Sequence, residues 1–310
     1  MSATIRPTAA LLAPSPLAAG ARVALVAPAG PLAGPHEIVH AEANARSFGW
    51  VPVVGRQALA RSGYFAGTDA ERAQDLLDAL NDPSIDGIWC LRGGYGTTRL
   101  LPSLDLAALR ARPRTLIGYS DITALHAAWQ QAGVMSYHGP TARAELSPFS
   151  RESLVRAVQR HTDSAGAAPD AVCVVAGRAE GRLAGGNLAL LAALSGTPWA
   201  VSFSGAIAVL EDVHEATYRV DRMLVQLHQS GAFDGCRGIL FGHCTDCPDT
   251  SEDGRRSVPE LVQELADSLR VPTLRDVPVG HIPDQWTLPL GALATLDADA
   301  CALVIHRNTP

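Results

Sequence analysis

Short apolar runs alternate with amphipathic segments along the first half of the chain. The apolar runs predict strands at Arg22–Ala27, Trp50–Val54, Asp86–Leu91 and Thr115–Tyr119. Segments with apolar residues at helical spacing predict helices at His36–Phe48, Asp69–Leu80 and Asp121–Gln131, and the beginning of another helix at Thr98–Leu101. Because strands and helices alternate, we predict an α/β domain with a doubly wound parallel sheet whose loops gather at one edge.

The second half of the chain is richer in strands. The segment 161–169, with its Gly, Ala, Ser and Pro residues, is typical of a linker. Beyond it we predict strands at Ala171–Val175, Ala206–Glu211, Gly238–Gly242 and Ala300–His306, and helices at Leu188–Leu194, Thr217–Ser230 and Val258–Leu269. The predicted organisation is an N-terminal arm (residues 1–20), a first α/β domain (21–150), a linker (151–171) and a second, strand-richer α/β domain (172–310).

Composition limits the classes of partner. The chain has 310 residues, of which 47% are hydrophobic, so its length suits two domains. The formal net charge is -6 and there is no basic stripe, which argues against nucleic acid or an anionic membrane as a partner. The apolar stretch Thr8–Ala19 is broken by Pro14 and Pro16 and does not have the pattern of a secretory signal. We therefore expect a cytoplasmic protein.

The cysteines fit a reducing compartment. Four of the six stand in apolar surroundings, as buried thiols do, and a chain of this size does not need disulfides. The exception is the segment His243–Cys247, where Cys244 and Cys247 form a C-x-x-C motif that suits half of a zinc site or a redox pair. No second motif of that kind accompanies it, so we expect neither a metal nor a cofactor.

The junction at Ser120 is the most informative local pattern. A short apolar strand ends at Tyr119, and an amphipathic helix follows at once. A serine at such a turn directs its hydroxyl toward the helix N-terminus, whose unpaired N–H groups suit a developing oxyanion. The segment resembles a nucleophile elbow, although Ile122 replaces the second glycine of G-x-S-x-G. The alternative is that Ser120 or Asp121 merely caps the helix.

A serine nucleophile needs a base and an acid. Among the histidines, His126 lies nearly two turns along the helix, whereas His281 stands in a loop punctuated by glycine and proline. Glu211 ends a strongly apolar strand, where α/β proteins gather polar groups. Ser120, Glu211 and His281 thus follow the chain order nucleophile, acid, histidine. A surface histidine and a solvated strand end remain the alternatives.

A glycine-rich turn, Arg92–Gly96, follows the third predicted strand. Its backbone N–H groups suit an anion, and the N–H groups of Gly94 and Asp121 together predict a two-donor oxyanion hole. The turn lacks the Gly-Lys-Ser/Thr ending of a Walker phosphate loop and the G-x-G-x-x-G spacing. The alternative is a tight turn that needs positive φ. His138, after a further strand, suits the same edge or a role in positioning substrate.

With these segments in view, the chain resembles the LD-carboxypeptidase family of serine peptidases, which includes murein tetrapeptide carboxypeptidases and microcin C self-immunity peptidases. The matching segments are Val26–Gly30, Leu91–Gly96, Ile117–Leu125, His138–Pro140, Gly185–Leu188, Leu210–Leu224 and Gly280–His281. The serine segment and the Glu-Asp…Tyr-Arg-Val-Asp-Arg run are the most specific. Two departures bear on substrate preference: His214 stands where the recycling enzymes usually have glycine, and the Cys244/Cys247 pair is not a family feature.

The resemblance implies both an activity and a set of residues. It implies a Ser-His-Glu triad on Ser120, His281 and Glu211, assembled at the domain junction, and an oxyanion hole from Gly94 and Asp121. It implies a serine carboxypeptidase that releases terminal D-alanine from an L-configured diamino acid in murein tetrapeptides, often as a homodimer. As substrate-binding residues we predict Arg92, Tyr95, His138 and Asn187.

Two other functions remain open at this point. The first is hydrolysis of a peptidyl- or aminoacyl-nucleotide antibiotic, as in microcin C immunity. The second is a non-catalytic α/β protein that binds a small ligand through its glycine-rich loops.

Overall fold

A computed structural model describes residues 11–248 and 256–306 of the chain. They form two compact units. The N-terminal unit comprises residues 12–164 and 283–289, and the C-terminal unit comprises Leu11 with the described residues of 165–282 and 290–306. In the described part of the chain, no helix combines the length and the apolar character needed to cross a bilayer.

The N-terminal unit is built on a parallel sheet. In chain order its elements are β1 (Arg22–Val26), α1 (Pro35–Ser47), β2 (Val51–Val54), α2 (Asp69–Asn81), β3 (Gly87–Cys90), α3 (Leu106–Ala111), β4 (Thr115–Gly118), α4 (Thr123–Ala132), β5 (Ser136–His138) and α5 (Pro148–Val155). The strands stand in the order β5-β4-β3-β1-β2, all parallel, and the short strand β12 (Leu288–Leu290) joins the β5 edge. The carboxyl ends of β3 and β4 therefore lie side by side, and they carry the two turns that the sequence singled out.

The C-terminal unit contains a mixed sheet. Its elements are β6 (Gly166–Ala167), β7 (Val172–Val175), β8 (Arg178–Asn187), α6 (Leu188–Leu194), β9 (Ala206–Val213), α7 (Thr217–Gln229), β10 (Gly238–Thr245), α8 (Val258–Leu269), β11 (Thr273–Arg275), β13 (Leu293–Asp297) and β14 (Ala302–Ile305). The order is β6-β14-β13-β8-β9-β10-β11-β7, in which β8 to β11 are parallel and the flanking strands antiparallel. The predicted α/β fold class is confirmed.

Each unit has its own apolar core. In the N-terminal unit the buried strands pack against α1 and around Trp50 and Trp89, whose rings meet edge to face 5.5 Å apart. In the C-terminal unit β9 packs against the apolar faces of α7 and α8. Because Ala206–Asp212 is buried throughout, the carboxylates at its carboxyl end are delivered into the protein interior.

Residues 12–20 of the predicted arm and residues 151–164 of the predicted linker belong to the N-terminal unit. Residues 1–10 lie outside the described residues, but Leu17 is fully buried and its N–H donates to the Val158 carbonyl at 2.8 Å. The predicted linker begins within α5, which Ser147 caps, and continues through a π-helical turn at Arg156–Arg160. The two units divide between residues 164 and 165.

Candidate functional site

Ser120 stands in a strained turn directly beyond β4. Its φ of 64° is in the left-handed region, where a residue with a Cβ pays on the order of 1 kcal/mol or more. Residues Ser120–Ile122 form a 3-10 turn that leads into α4. No side chain caps the N-terminus of the 3-10 turn or of α4. Strain of this kind persists at functional positions, and the capping alternative does not explain it.

The glycine-rich turn contacts Ser120 closely. A Cβ built on Gly93 would lie 2.9 Å from the Ser120 Cβ and 3.0 Å from its Oγ, so only glycine leaves room for the serine side chain. Gly94 has a φ of 115°, and its N–H has no hydrogen-bond acceptor among the residues described. The N–H of Asp121 belongs to the first helical turn, where N–H groups lack an intrahelical partner. Two backbone donors are thus available beside the serine turn.

The Gly93 contact leads to a first expectation. Gly93→Ala should lower kcat/KM about 100-fold, because displacing a reacting hydroxyl by about 1 Å costs that much. Gly34→Ala is the matched control, since a Cβ there meets only the movable side chain of His36. Steady-state kinetics and thermal unfolding of both variants test this. An unchanged kcat/KM for Gly93→Ala would show that the contact does not matter for the activity.

The Asp121 carboxylate ties the two turns together. It is fully buried, and its Oδ2 accepts hydrogen bonds from the Thr97 N–H and Oγ1, both at 2.8 Å. Burial raises the pKa of Asp121 above its ordinary value, and the hydrogen bonds from Thr97 oppose that shift. Asp121 therefore fixes the serine turn against the segment that follows Gly94. Nothing in the sequence pattern singled out Thr97.

Glu211 and His281 are brought together in the C-terminal unit. The two residues are 70 positions apart in the chain, and the His281 Nδ1 lies 2.9 Å from the Glu211 Oε2. The carboxylate is fully buried, whereas the imidazole side chain is 20% exposed. With Nδ1–H donating to the carboxylate, the neutral imidazole carries its lone pair on Nε2, the tautomer that a general base requires.

The segment that carries His281 is held on both sides. Gly280 has a φ of 117°, and a Cβ there would lie 3.1 Å from both the Cβ and the Oε2 of Glu211. Thr245 Oγ1 donates to the His281 carbonyl at 3.1 Å. Glu211 Oε1 is buried and has no hydrogen-bond partner in the part of the chain that is described. A carboxylate in this position is strongly stabilised by a positive charge on His281.

The remaining predicted residues differ in their surroundings. The Arg92 Nη1 donates to the Pro31 carbonyl, and the ring of Tyr95, which is 48% exposed, contacts Tyr64 and Phe65. His138 is buried between the rings of Tyr119 and His126, with both centroids 6.1 Å away.

Asn187 is engaged in the structure of its own unit. Its Nδ2 donates to the Asp212 Oδ1 at 2.9 Å, and its Oδ1 accepts from the Leu190 N–H as the cap of α6. Burial raises the pKa of Asp212 to about 6, although three groups donate hydrogen bonds to it. Because Asn187 is paired with Glu211 in the β8–β9 register, this network lies beside the glutamate.

His126 is a structural residue of the N-terminal unit. Its Nδ1 lies 2.8 Å from Ser136 Oγ and its Nε2 lies 2.9 Å from the Gly118 carbonyl. Burial lowers the pKa of His126 to about 4, so the ring is neutral at pH 7. Both nitrogens are occupied within the unit that also carries Ser120, which agrees with the expectation that His126 is poorly placed as the base.

Two protein-family models match this chain. The N-terminal domain of the LD-carboxypeptidase family matches residues 23–139, and its C-terminal domain matches residues 180–296. The chain belongs to the LD-carboxypeptidase family. Proteins of this family are serine-type carboxypeptidases, so the predicted class of enzyme is confirmed. The family assignment therefore does not support the alternative of a non-catalytic binding protein.

Several relatives of this LD-carboxypeptidase are similar over nearly the whole chain. A putative carboxypeptidase of Streptomyces coelicolor is 42% identical, with 96% of this chain and 97% of that protein covered. The murein tetrapeptide carboxypeptidase of Pseudomonas aeruginosa is 38% identical, with 90% and 94% covered.

Solved structures share the fold. The muramoyltetrapeptide carboxypeptidase from Oxalobacter formigenes is 31% identical and has a TM-score of 0.82, with 92% of this chain and 97% of that chain covered. The microcin C7 self-immunity protein MccF in its wild-type apo state is 26% identical and has a TM-score of 0.85, with 96% and 99% covered. A muramoyltetrapeptide carboxypeptidase and a microcin C7 self-immunity protein are therefore both among the structural neighbours.

Proposed function

We propose that this LD-carboxypeptidase releases terminal D-alanine from an L-configured diamino acid of murein tetrapeptides, through a catalytic triad of Ser120, His281 and Glu211. The observation that carries the proposal is the strained turn at Ser120, which stands beside two backbone donors, those of Gly94 and Asp121. The similarity to proteins named murein tetrapeptide carboxypeptidase supports the substrate class.

In the proposed acylation step, the Ser120 Oγ attacks the carbonyl carbon of the residue that precedes D-alanine. The hydroxyl proton passes to the His281 Nε2, and the imidazolium then gives it to the departing amine of D-alanine. Glu211 keeps the proton of Nδ1 in place and stabilises the imidazolium from its buried position. Water then attacks the acyl-enzyme with His281 acting once more as the base.

The tetrahedral intermediate places a negative charge on the former carbonyl oxygen. The N–H groups of Gly94 and Asp121 are the proposed donors to it, and such donors contribute roughly 3–4 kcal/mol each in well-studied enzymes. Because these donors belong to the backbone, their geometry depends on the turns. Gly93, Gly94 and the Asp121–Thr97 hydrogen bonds define those turns.

Of the four residues predicted to bind substrate, two are proposed to contact it directly. Arg92 supplies a guanidinium that suits the free terminal carboxylate, and the exposed ring of Tyr95 suits the body of the peptide. His138 and Asn187 are buried, so we propose that they shape the site by supporting the ends of β5 and β8. We also propose a homodimer that acts in the cytoplasm in peptidoglycan recycling.

Mass spectrometry of the purified protein with a murein tetrapeptide tests the proposed reaction. We expect a product that lacks one alanine, with D-alanine in solution, and no cleavage of a matched peptide that ends in L-alanine. A tetrapeptide left intact by folded protein at micromolar concentration would refute the proposed substrate.

The second candidate is hydrolysis of an aminoacyl-nucleotide antibiotic. The observation in its favour is the TM-score of 0.85 to the MccF structure. The two candidates share one triad, so turnover has to be measured with both substrates. A kcat/KM at least tenfold higher on a sulfamoyl- or phosphoramidate-linked aminoacyl nucleotide would favour the second candidate.

A further inference from the structure

Cys244 and Cys247 form a compact dithiol turn at the carboxyl end of β10. Of the two residues between them, Asp246 has a φ of 51°, so the backbone turns between the two cysteines. The Cys247 Sγ lies 3.6 Å from the Thr245 carbonyl oxygen, and each thiol shifts the pKa of the other. Both cysteines line a cavity of about 310 Å³ at the start of α8, through which a small molecule can approach them.

The dithiol turn is joined to the segment that carries His281. The His243 N–H donates to the Val279 carbonyl at 2.9 Å, and the Thr245 Oγ1 donates to the carbonyl of His281 itself at 3.1 Å. Cys244 is also paired with Asp212, the neighbour of Glu211, in the β9–β10 register. These contacts connect the backbone of the dithiol turn to the segments that carry Glu211 and His281.

The two thiols are chemically unequal. The interaction between them lowers the pKa of the Cys247 thiol and raises the pKa of the Cys244 thiol. Burial raises the pKa of Cys244 further, whereas Cys247 is less deeply buried. In a C-x-x-C pair this asymmetry makes one thiol the attacking nucleophile and the other the resolving group.

We infer that Cys244 and Cys247 are a reversible dithiol–disulfide modification site that lowers the activity when it is oxidised. The oxidant is a small-molecule disulfide such as oxidised glutathione. The Cys247 thiolate attacks one sulfur and releases one small thiol, and the Cys244 thiolate then displaces the second. The protein loses two hydrogens and two electrons, and one small disulfide becomes two small thiols. The effect on activity rests on the proposed role of His281.

Oxidation acts on the site through Thr245. A disulfide holds its sulfur atoms at about 2.05 Å, closer than two unbonded thiols approach, so the turn has to tighten when the bond forms. Thr245 lies within that turn and holds the His281 carbonyl, so the imidazole is displaced. A displacement of about 1 Å at a catalytic group is expected to lower kcat/KM roughly tenfold to a hundredfold.

The full-length protein is equilibrated with graded ratios of oxidised and reduced glutathione, and then divided for two measurements. Peptide mapping without reduction is expected to show a Cys244–Cys247 disulfide with a mass loss of two hydrogens. D-Alanine release from a murein tetrapeptide is expected to fall in parallel and to return after dithiothreitol. Failure to find the disulfide at any ratio would overturn the inference, as would a disulfide that leaves kcat/KM unchanged.

Three variants separate this site from the other thiols. Cys244→Ser/Cys247→Ser should keep the reduced activity and lose the response to oxidised glutathione, and Cys247→Ser alone should give the same result if the double variant fails to fold. Cys173→Ser removes an exposed thiol elsewhere in the same unit and should respond like the wild type. A response that persists without Cys247 would assign the effect to another cysteine. If the protein forms the disulfide on oxidation but releases no D-alanine even when it is reduced, the proposed function is refuted and the modification site is not.

Discussion

Ser120→Ala is expected to reduce kcat/KM at least about 10⁴-fold, because the oxyanion donors and the binding residues alone retain only a small part of a triad's rate enhancement. The fold should be unchanged, since the side chain caps neither the 3-10 turn nor α4. Circular dichroism and thermal unfolding establish the fold, and a discontinuous assay of D-alanine establishes the rate. Retention of a tenth of the wild-type activity would show that Ser120 is not the nucleophile.

A second substitution at the same position separates function from strain. Ser120→Gly also removes the hydroxyl, but glycine adopts a φ of 64° without the cost that a Cβ carries. This variant should be as inactive as Ser120→Ala and at least as stable toward unfolding. If Ser120→Gly were instead clearly less stable than Ser120→Ala, the positive φ would not represent strain held at the site.

His281→Ala has the second largest expected effect, a loss in kcat/KM of at least about 10⁴-fold from removal of the base. His228→Ala is the control, because His228 is an exposed residue near the end of α7. Stability also changes, since removing the imidazole leaves the fully buried Glu211 carboxylate without its partner.

The double variant His281→Ala/Glu211→Ala distinguishes these two effects. Removing the buried carboxylate as well should recover part of the lost stability, while the activity stays at the level of the single His281→Ala variant. Unfolding by urea measures the first quantity and D-alanine release the second. Recovery of activity in the double variant would contradict the assignment of His281 as the base.

The sequence pattern predicted most of the N-terminal unit because β1, β3 and β4 are buried almost throughout and therefore appear as continuous apolar runs. It missed β8, Arg178–Asn187, whose glycines and charged residues are held in an extended conformation by pairing with β9 and β13. It also interpreted α5 as part of a linker, although Ser147 and Pro148 are an N-cap and first-turn pair. The predicted helix at Thr98–Leu101 consists of two 3-10 turns, Thr97–Arg99 and Leu101–Ser103.

The candidate site shows the same division between local and non-local information. Motifs singled out Ser120, Glu211 and His281, because each was predicted at or just beyond a strand end with its own sequence pattern. The 2.9 Å contact of Glu211 with His281 depends on how β9 and the loop at Gly280 pack, and no local pattern contains that distance. The same is true of the space that Gly93 leaves for Ser120 and of the link from Thr245 to His281.

The central claim is that Ser120 and His281 act as one catalytic unit, and a double-variant cycle tests it most directly. Residues that act as a unit lose their contributions together, so Ser120→Ala/His281→Ala should be slower than the slower single variant by no more than about threefold. The quantity to measure is kcat/KM for D-alanine release, with an assay sensitive enough for the slowest variant and with all three variants shown to be folded. Losses that multiply, so that the double variant falls by the product of the two single effects, would contradict the claim.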